Sequence, residues 1–154
     1  MKIRIEVTGD PLENEIIIRC GRVDDEIRAI HRFILDIASA APRVSFYKGN
    51  EEYYLPLEEV LFFETEGEVV RAHTSSDVYL TRYRLYELEN LLPLSFIRVS
   101  KSSIVNIQSI YSIKRELSSA SLIAFAGTHK HVYVSRRYYA SLKERMQRRN
   151  TYEE

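Results

Sequence analysis

Short apolar runs separated by turn residues constrain the fold of this chain more than any other feature of the sequence. In the second half of the sequence such runs recur about every ten residues. They lie at 96–99, 104–105, 111–113, 121–125 and 131–134. Runs this short do not form long helices, and their spacing is typical of antiparallel strands joined by tight turns. The sequence therefore predicts a mainly β fold with short helices and packed antiparallel sheets.

The middle of the chain continues the same pattern. Gly49-Asn50 divides two apolar segments and predicts a hairpin. Pro56 predicts a single helical turn, because proline suits the first position of a helix. Further strands are expected at 60–63, 69–73 and 77–80, and leucines spaced along one helical face predict a helix over 85–92.

The first 41 residues have a different organisation. Alternating apolar residues predict strands at 3–7 and 15–19, and isoleucines three and four apart predict a helix that begins near Asp24 and Asp25. Pro42 ends this helix. We therefore expect a β-β-α extension over 1–41, a larger domain over 44–147 and a tail over 148–154. Ser135 is expected to cap a last helix that gives way to a basic tail from Lys143.

The formal net charge is zero, which taken alone argues against a nucleic-acid partner. The charges are unevenly placed, however. Residues 1–93 hold 11 Lys and Arg against 18 Asp and Glu, whereas residues 94–150 hold 11 Lys and Arg against two glutamates. This asymmetry indicates an anionic partner for the basic part. Two solvated faces of opposite sign are the alternative.

Several classes of protein are disfavoured by the sequence. The single cysteine, Cys20, cannot form an internal disulfide, and the charged N-terminus lacks the apolar segment of a signal peptide. No run of eighteen apolar residues occurs. We expect a cytoplasmic protein without membrane insertion.

Motifs that would indicate catalysis or a cofactor are weak. The five glycines do not have phosphate-loop spacing, and no nucleophile-elbow motif surrounds the serines. His129 and His131 share one side of a strand, but no Cys, Asp or Glu in that segment completes a metal site. Glu64, Glu66 and Glu68 would share one strand face if the strand over 60–63 continued that far, and they are expected to be solvated. We expect no enzyme activity, no cofactor, no metal and no small-molecule substrate.

The positions of the cations are more informative. Arg98 and Lys101 lie among Ser100, Ser102 and Ser103, a combination of hydroxyls and cations that suits phosphate oxygens. A second group follows, comprising Lys130, Ser135, Arg136 and Arg137. A guanidinium can also pair with a guanine edge, which would make Arg136 or Arg137 a specificity residue. Alternatively, these side chains only protect sheet edges against aggregation.

Three motifs in this order resemble the LytTR DNA-binding domain of bacterial transcription regulators. The central one is Phe96-Ile97-Arg98-Val99-Ser100-Lys101-Ser102-Ser103-Ile104-Val105-Asn106. Upstream, residues 54–64 resemble the family's opening strand, turn and second strand, and downstream, residues 132–138 resemble its closing strand and Ser-Arg element. The resemblance covers about 44–146.

The resemblance implies a fold that reads double-stranded DNA through loops rather than through a recognition helix. Carried onto this chain, the contact regions are Thr65–Glu68, then Lys101 with Ser102, then Arg137 with its neighbour Arg136. Ser100 and Lys130 are included as flanking contacts. Asn106 and Ser135 are assigned to the structural signature, since an asparagine side chain can satisfy turn backbone groups.

Two features depart from the family pattern. The first loop carries Glu66 and Glu68, which repel phosphate, although a glutamate can accept a hydrogen bond from cytosine. The 41-residue front is too short for a receiver domain and is expected to serve as a dimerisation element, a partner-binding element or a cap on the sheet. We expect a homodimer on promoter direct repeats. The alternative is a non-catalytic protein-interaction module with oppositely charged faces.

Overall fold

The computed structural model describes residues 16–39, 44–115 and 120–149. It divides into two compact units, residues 1–39 and residues 40–154. In the first unit, helix α1 spans Asp25–Ser39. The second unit contains strands β1 Phe46–Lys48, β2 Glu51–Tyr53, β3 Phe62–Glu66, β4 Val69–His73, β5 Val78–Thr81, β6 Phe96–Arg98, β7 Ser103–Asn106, β8 Ile110–Lys114, β9 Ser121–Phe125 and β10 His131–Val134. The described part of this unit also contains helices α2 Leu85–Leu91 and α3 Arg136–Arg149 and the 3₁₀ turns Leu57–Glu59 and Ile107–Ser109.

Helix α1 begins where the sequence predicts. The Asp24 Oδ1 atom accepts a hydrogen bond from the Ile27 amide at 3.1 Å, which satisfies one of the free amides of the first turn. The strand expected at 15–19 is wrong over residues 16–19, which have no regular secondary structure. Ile16 and Ile17 are 69% and 59% exposed, so this segment does not bury the apolar face that would hold it in a sheet. The strand expected at 3–7 lies outside the described residues.

The second unit is built from two antiparallel sheets. The larger has the strand order β2-β1-β5-β4-β3-β7-β6, and the smaller has the order β10-β9-β8. Gly49 and Gly67 occupy the turns of the β1–β2 and β3–β4 hairpins with φ of 61° each, a conformation that favours glycine. Mainly antiparallel sheets with short helices confirm the expected fold class.

Alternating side chains of the central strands enter two separate cores. Phe63 and Ile104 pack with Leu88 of α2 on one face of the large sheet. Their neighbours Phe62 and Val105 pack with the small sheet and α3 on the other face. Because successive side chains of a strand point to opposite faces, this alternation places the large sheet between α2 and the small sheet.

The final helix is longer than expected. We predicted a basic tail from Lys143, whereas α3 continues to Arg149. Leu142 is fully buried, and Met146 packs against the second core one turn later. Lys, Glu, Gln and Arg are good helix formers, so these two apolar anchors suffice to continue the helix through the charged sequence.

Candidate nucleic-acid interface

Backbone hydrogen bonds bring three segments distant in sequence to one end of the large sheet. The Thr65 amide at the end of β3 donates to the Ser102 carbonyl at 2.8 Å. The Ser135 amide after β10 donates to the Val99 carbonyl at 2.9 Å. The loop of residues 99–102 between β6 and β7 therefore lies between the β3–β4 turn and the start of α3.

Arg98 fixes the shape of this central loop. Its Nε atom donates to the Ser100 carbonyl at 2.7 Å, and one Nη atom donates to the Lys101 carbonyl. The other Nη atom lies 2.8 Å from a carboxylate oxygen of Glu89 in α2. The sequence places Arg98 among cations suited to phosphate, but its guanidinium is bound within the protein. Nothing in the sequence pattern pairs it with Glu89.

The central loop presents its polar groups to solvent. Lys101 and Ser102 are exposed and Ser100 is half-buried. The Ser100 hydroxyl accepts a hydrogen bond from the Ser102 amide at 3.1 Å, which closes a tight turn. Among the described residues, no carboxylate oxygen lies within 4.0 Å of the Lys101 ammonium.

The third segment leads directly into α3. Ser135 precedes the helix, and its carbonyl accepts a hydrogen bond from the Tyr138 amide at 3.0 Å. Arg136 and Arg137 form the start of the first turn, where no acidic residue is present, and both are exposed. The Arg137 guanidinium lies 5.8 Å from the centre of the Tyr138 ring. The partial positive charge of the helix N-terminus and the charges of these arginines add to one positive electrostatic potential, which favours the binding of an anion at this turn.

The β3–β4 turn carries the acidic residues of the site. The Glu66 carboxylate lies 2.7 Å from Nε of Arg71 on the neighbouring strand, so its charge is compensated. Glu68 is exposed beyond Gly67. Thr65 is half-buried and its amide is engaged by Ser102. The expected repulsion toward phosphate therefore comes mainly from Glu68.

Lys130 lies away from these segments. It precedes β10, whereas Ser135 follows it, and a four-residue strand separates its ends by roughly 13 Å. The Lys130 ammonium donates to the carbonyls of Thr74 and Asp77 at 2.8 and 2.7 Å. Burial lowers the pKa of this lysine. Lys130 thus joins the β9–β10 turn to the turn between β4 and β5.

Asn106 has a buried side chain that connects the segment before β3 to the 3₁₀ turn after β7. Its Nδ2 atom donates to the Val60 carbonyl at 3.2 Å, and its Oδ1 atom accepts from the Gln108 amide at 3.1 Å. The residue is 3% exposed. These contacts hold the 3₁₀ turn after β7 against the segment that enters β3.

One group of potential metal ligands occurs on β3 and β4. Single ligand atoms of Glu64, Glu66 and His73 lie within 4.8 Å of one another. Burial, then the charges of Lys130 and Arg71, lower the pKa of His73 to about 4, so the imidazole is neutral at pH 7. The same positive charges disfavour a divalent cation, and Arg71 already binds Glu66. The expectation that His129 and His131 share one side of a strand is wrong: His129 lies in the turn before β10, and only His131 belongs to that strand, while both side chains are exposed.

Among the described residues, no helix has the length and apolar character needed to cross a membrane.

Comparisons with known proteins agree with this fold. Residues 50–147 match the LytTr DNA-binding domain family. The chain belongs to this family. The solved LytTr DNA-binding domain of a Bacillus cereus protein named a methyl-accepting/DNA response regulator superposes with a TM-score of 0.63 at 25% identity, covering 68% of this chain and 96% of that one. The fold and the resemblance expected from the sequence are confirmed.

The similarity of this LytTr chain to curated relatives extends beyond the domain and covers nearly the whole chain. An uncharacterized HTH-type transcriptional regulator of Staphylococcus aureus strain NCTC 8325 / PS 47 is 32% identical over 146 residues, which cover 95% of this chain and 98% of the relative. A regulator of the same description from strain MRSA252 is 31% identical over the same length. The described part of this chain does not contain two consecutive α-helices, so it shows no helix-turn-helix.

Proposed function

We propose that this LytTr protein is a bacterial, sequence-specific regulator of transcription that binds double-stranded DNA through loops. The interface comprises the β3–β4 turn at Thr65–Glu68, the loop Ser100–Ser102 and the segment Ser135–Arg137. In this role the chain acts in the cytoplasm and carries out no catalytic step.

The convergence of three polar segments at one end of the sheet is the observation that supports this proposal best. Thr65 is hydrogen-bonded to Ser102, and Ser135 is hydrogen-bonded to Val99. Among the described residues, neither Lys101 nor Arg137 has a carboxylate oxygen within 4.0 Å. Neither side chain is therefore engaged in an internal ion pair with a described residue that DNA would have to displace. Phosphate contacts of this kind position a protein on a duplex.

Individual roles follow from the chemistry of the side chains. Lys101 and Arg136 bind phosphates, while Arg137 at the start of α3 reaches a guanine edge. The hydroxyls of Ser100, Ser102 and Thr65 set the register on the backbone. Glu68 accepts a hydrogen bond from a cytosine amino group or contributes only repulsion. Lys130, held by two carbonyls, contributes stability rather than contact.

We further propose that two copies bind promoter direct repeats. One domain of 44–147 contacts only a short stretch of DNA. When two such domains are held together, the second one binds intramolecularly at a high effective concentration, which raises the affinity. The first unit is the candidate for holding the copies together, with partner binding and capping of the sheet as its other possible roles. Titration of the protein against duplexes with one and two half-sites, with the mass of each complex measured, tests this point.

The experiment that tests the function selects bound duplexes from genomic and random DNA and then measures affinity at several salt concentrations. Roughly four to eight phosphate contacts give a log–log salt slope of about −4 to −7. Arg137→Ala is expected to weaken binding to the selected site by about 1–3 kcal/mol without loss of fold. Lys48→Ala is the matched control, since it removes the same charge from a lysine bound to Asp77. Failure to bind any duplex at low salt would favour a protein-interaction module.

A further inference from the structure

A shallow groove lies beside the β3–β4 turn and extends beyond the three segments described above. It has a volume of about 420 Å³ and is lined by residues that include Tyr47, Glu68, Val69, Arg82 and Arg84. Glu68 belongs both to this groove and to the β3–β4 turn. The groove therefore continues the proposed DNA interface sideways along the sheet.

The register of the strands shows that the groove lies at the same end of the sheet. Thr81, the last residue of β5, pairs with Val70 of β4, and Val70 pairs with Thr65 of β3. Thr65 in turn is hydrogen-bonded to Ser102. The turn of residues 82–84 that follows β5 is consequently two strand spacings, roughly 10 Å, beyond Thr65.

The guanidinium groups of two exposed arginines in this turn contact uncharged groups. The Arg82 guanidinium stacks over the Tyr47 ring at 4.3 Å from its centre. An Nη atom of Arg84 donates to the Glu68 carbonyl at 3.3 Å, and the Arg84 amide donates to the Glu87 carboxylate at 2.7 Å, which fixes the start of α2. Each guanidinium keeps further N–H donors for another molecule.

The charge of these arginines is uncompensated, unlike that of several cations nearby. Among the described residues, neither Arg82 nor Arg84 has a carboxylate oxygen within 4.0 Å of its guanidinium. In contrast, Lys48, Arg71 and Arg98 lie within 2.6–2.8 Å of Asp77, Glu66 and Glu89. Pre-positioned guanidinium groups without an internal partner suit a phosphate, which they can bind through two parallel hydrogen bonds.

We propose that Arg82 and Arg84 bind the phosphodiester backbone of the same duplex, outside the bases read by the three loops. This inference rests on the proposed function and extends its footprint. Two strand spacings of roughly 10 Å correspond to about three base pairs at a rise of 3.4 Å. The arginines thus contact flanking phosphates whatever the local sequence, and they anchor the protein on one side of its site.

Two probes separate this inference from the proposed function. One is a selected duplex of about 40 base pairs with a single half-site at its centre, and the other ends at the edge of that half-site on one flank or the other, so that the adjacent roughly three to four base pairs are missing. Arg82→Gln/Arg84→Gln keeps the side-chain stems and removes two charges. We expect about tenfold weaker binding to the long probe and a salt slope reduced by about 1.8, since each phosphate contact contributes about 0.9.

The trimmed probes complete the test. On the probe that lacks the contacted flank, the double variant and the wild type are expected to bind equally. Lys48→Ala, which removes a charge already bound to Asp77, is expected to leave the long-probe affinity within twofold of the wild type. Equal affinity and equal salt slope for the double variant and the wild type on the long probe would overturn the inference alone. Failure of the wild type to bind either probe would overturn the proposed function as well.

Discussion

The Arg98 guanidinium joins Glu89 of α2, at 2.8 Å, to the loop that carries Lys101 and Ser102. Its remaining donors bind the Ser100 and Lys101 carbonyls. One side chain therefore connects the central loop of the proposed interface to helix α2. The loop shape depends on this residue as well as on the Ser100 hydroxyl.

Arg98→Gln is therefore expected to weaken DNA binding, although Arg98 is not a contact residue in the proposed interface. Loss of two carbonyl partners and one carboxylate partner is expected to lower the free energy of unfolding by about 1–2 kcal/mol. Urea unfolding and fluorescence anisotropy with the selected duplex measure the two effects. Glu89→Gln, which leaves both carbonyl bonds in place, serves as the control and should retain most of the affinity. Full affinity in Arg98→Gln would show that the loop keeps its shape without the guanidinium.

Asn106→Ala is expected to lower the free energy of unfolding by about 2 kcal/mol, because it leaves the Val60 carbonyl without its side-chain donor and the Gln108 amide without its acceptor. Affinity for DNA, measured well below the unfolding transition, should change little. Gln108→Ala, which removes an exposed side chain next to the same turn, is the control. A large loss of affinity in a fully folded Asn106→Ala protein would contradict the scaffold role.

His73 makes stability depend on pH in a defined window. Its ring stacks on Phe62 with centroids 4.2 Å apart, and its folded-state pKa of about 4 lies below the ordinary value of 6.5. Between these two values the unfolded chain binds more protons, so stability is full above pH 6.5 and is lost as the pH falls toward 4. The loss is on the order of 2–3 kcal/mol.

Urea unfolding at pH 7.5 and pH 4.5 measures this loss in the wild type and in His73→Phe, which keeps the stacking on Phe62 and cannot titrate. The variant should show a smaller decrease in stability between the two pH values. His129→Gln, at an exposed position, should behave as the wild type. Equal pH dependence in His73→Phe and the wild type would assign the effect to the carboxylates instead.

Glu68→Gln is expected to strengthen DNA binding about two- to fivefold at low salt, because it removes an exposed negative charge from the β3–β4 turn. Glu59→Gln is the matched control, since Glu59 precedes β3 and so lies at the other end of that strand. Anisotropy titrations with the selected duplex compare the two variants. Weaker binding by Glu68→Gln would indicate that the carboxylate accepts a hydrogen bond from a base.

Local sequence patterns predict most of the fold because the strands are short and each has its own turn signal. The turns at Gly49 and Gly67 and the leucine helix lie where expected. The end of β3 was not predictable, since Glu64 to Glu66 are extended only by pairing with Val69 to Arg71. Such pairing is a long-range property that no local window contains.

The candidate site was predictable only in part, for the same reason. Charge counting and the family resemblance single out Lys101 and Arg137, but they do not show which cations already have a partner. Arg98 and Lys130 are engaged within the protein by groups that are distant in sequence. Arg82 and Arg84 lie beside the proposed interface only because β5 pairs with β4.

At Lys130 the role expected from the sequence and the role indicated by the structure differ most. The sequence places it among the expected DNA contacts, whereas in the structure its ammonium binds two backbone carbonyls. Lys130→Met keeps the aliphatic stem and removes the ammonium that binds the Thr74 and Asp77 carbonyls. We expect a loss of about 1–3 kcal/mol in the free energy of unfolding and DNA affinity within twofold of the wild type. Lys101→Met, at an exposed loop position, should show the reverse: little change in stability and clearly weaker binding with a shallower salt slope. If folded Lys130→Met bound DNA as weakly as Lys101→Met, the DNA would have to extend along β10 to its far end.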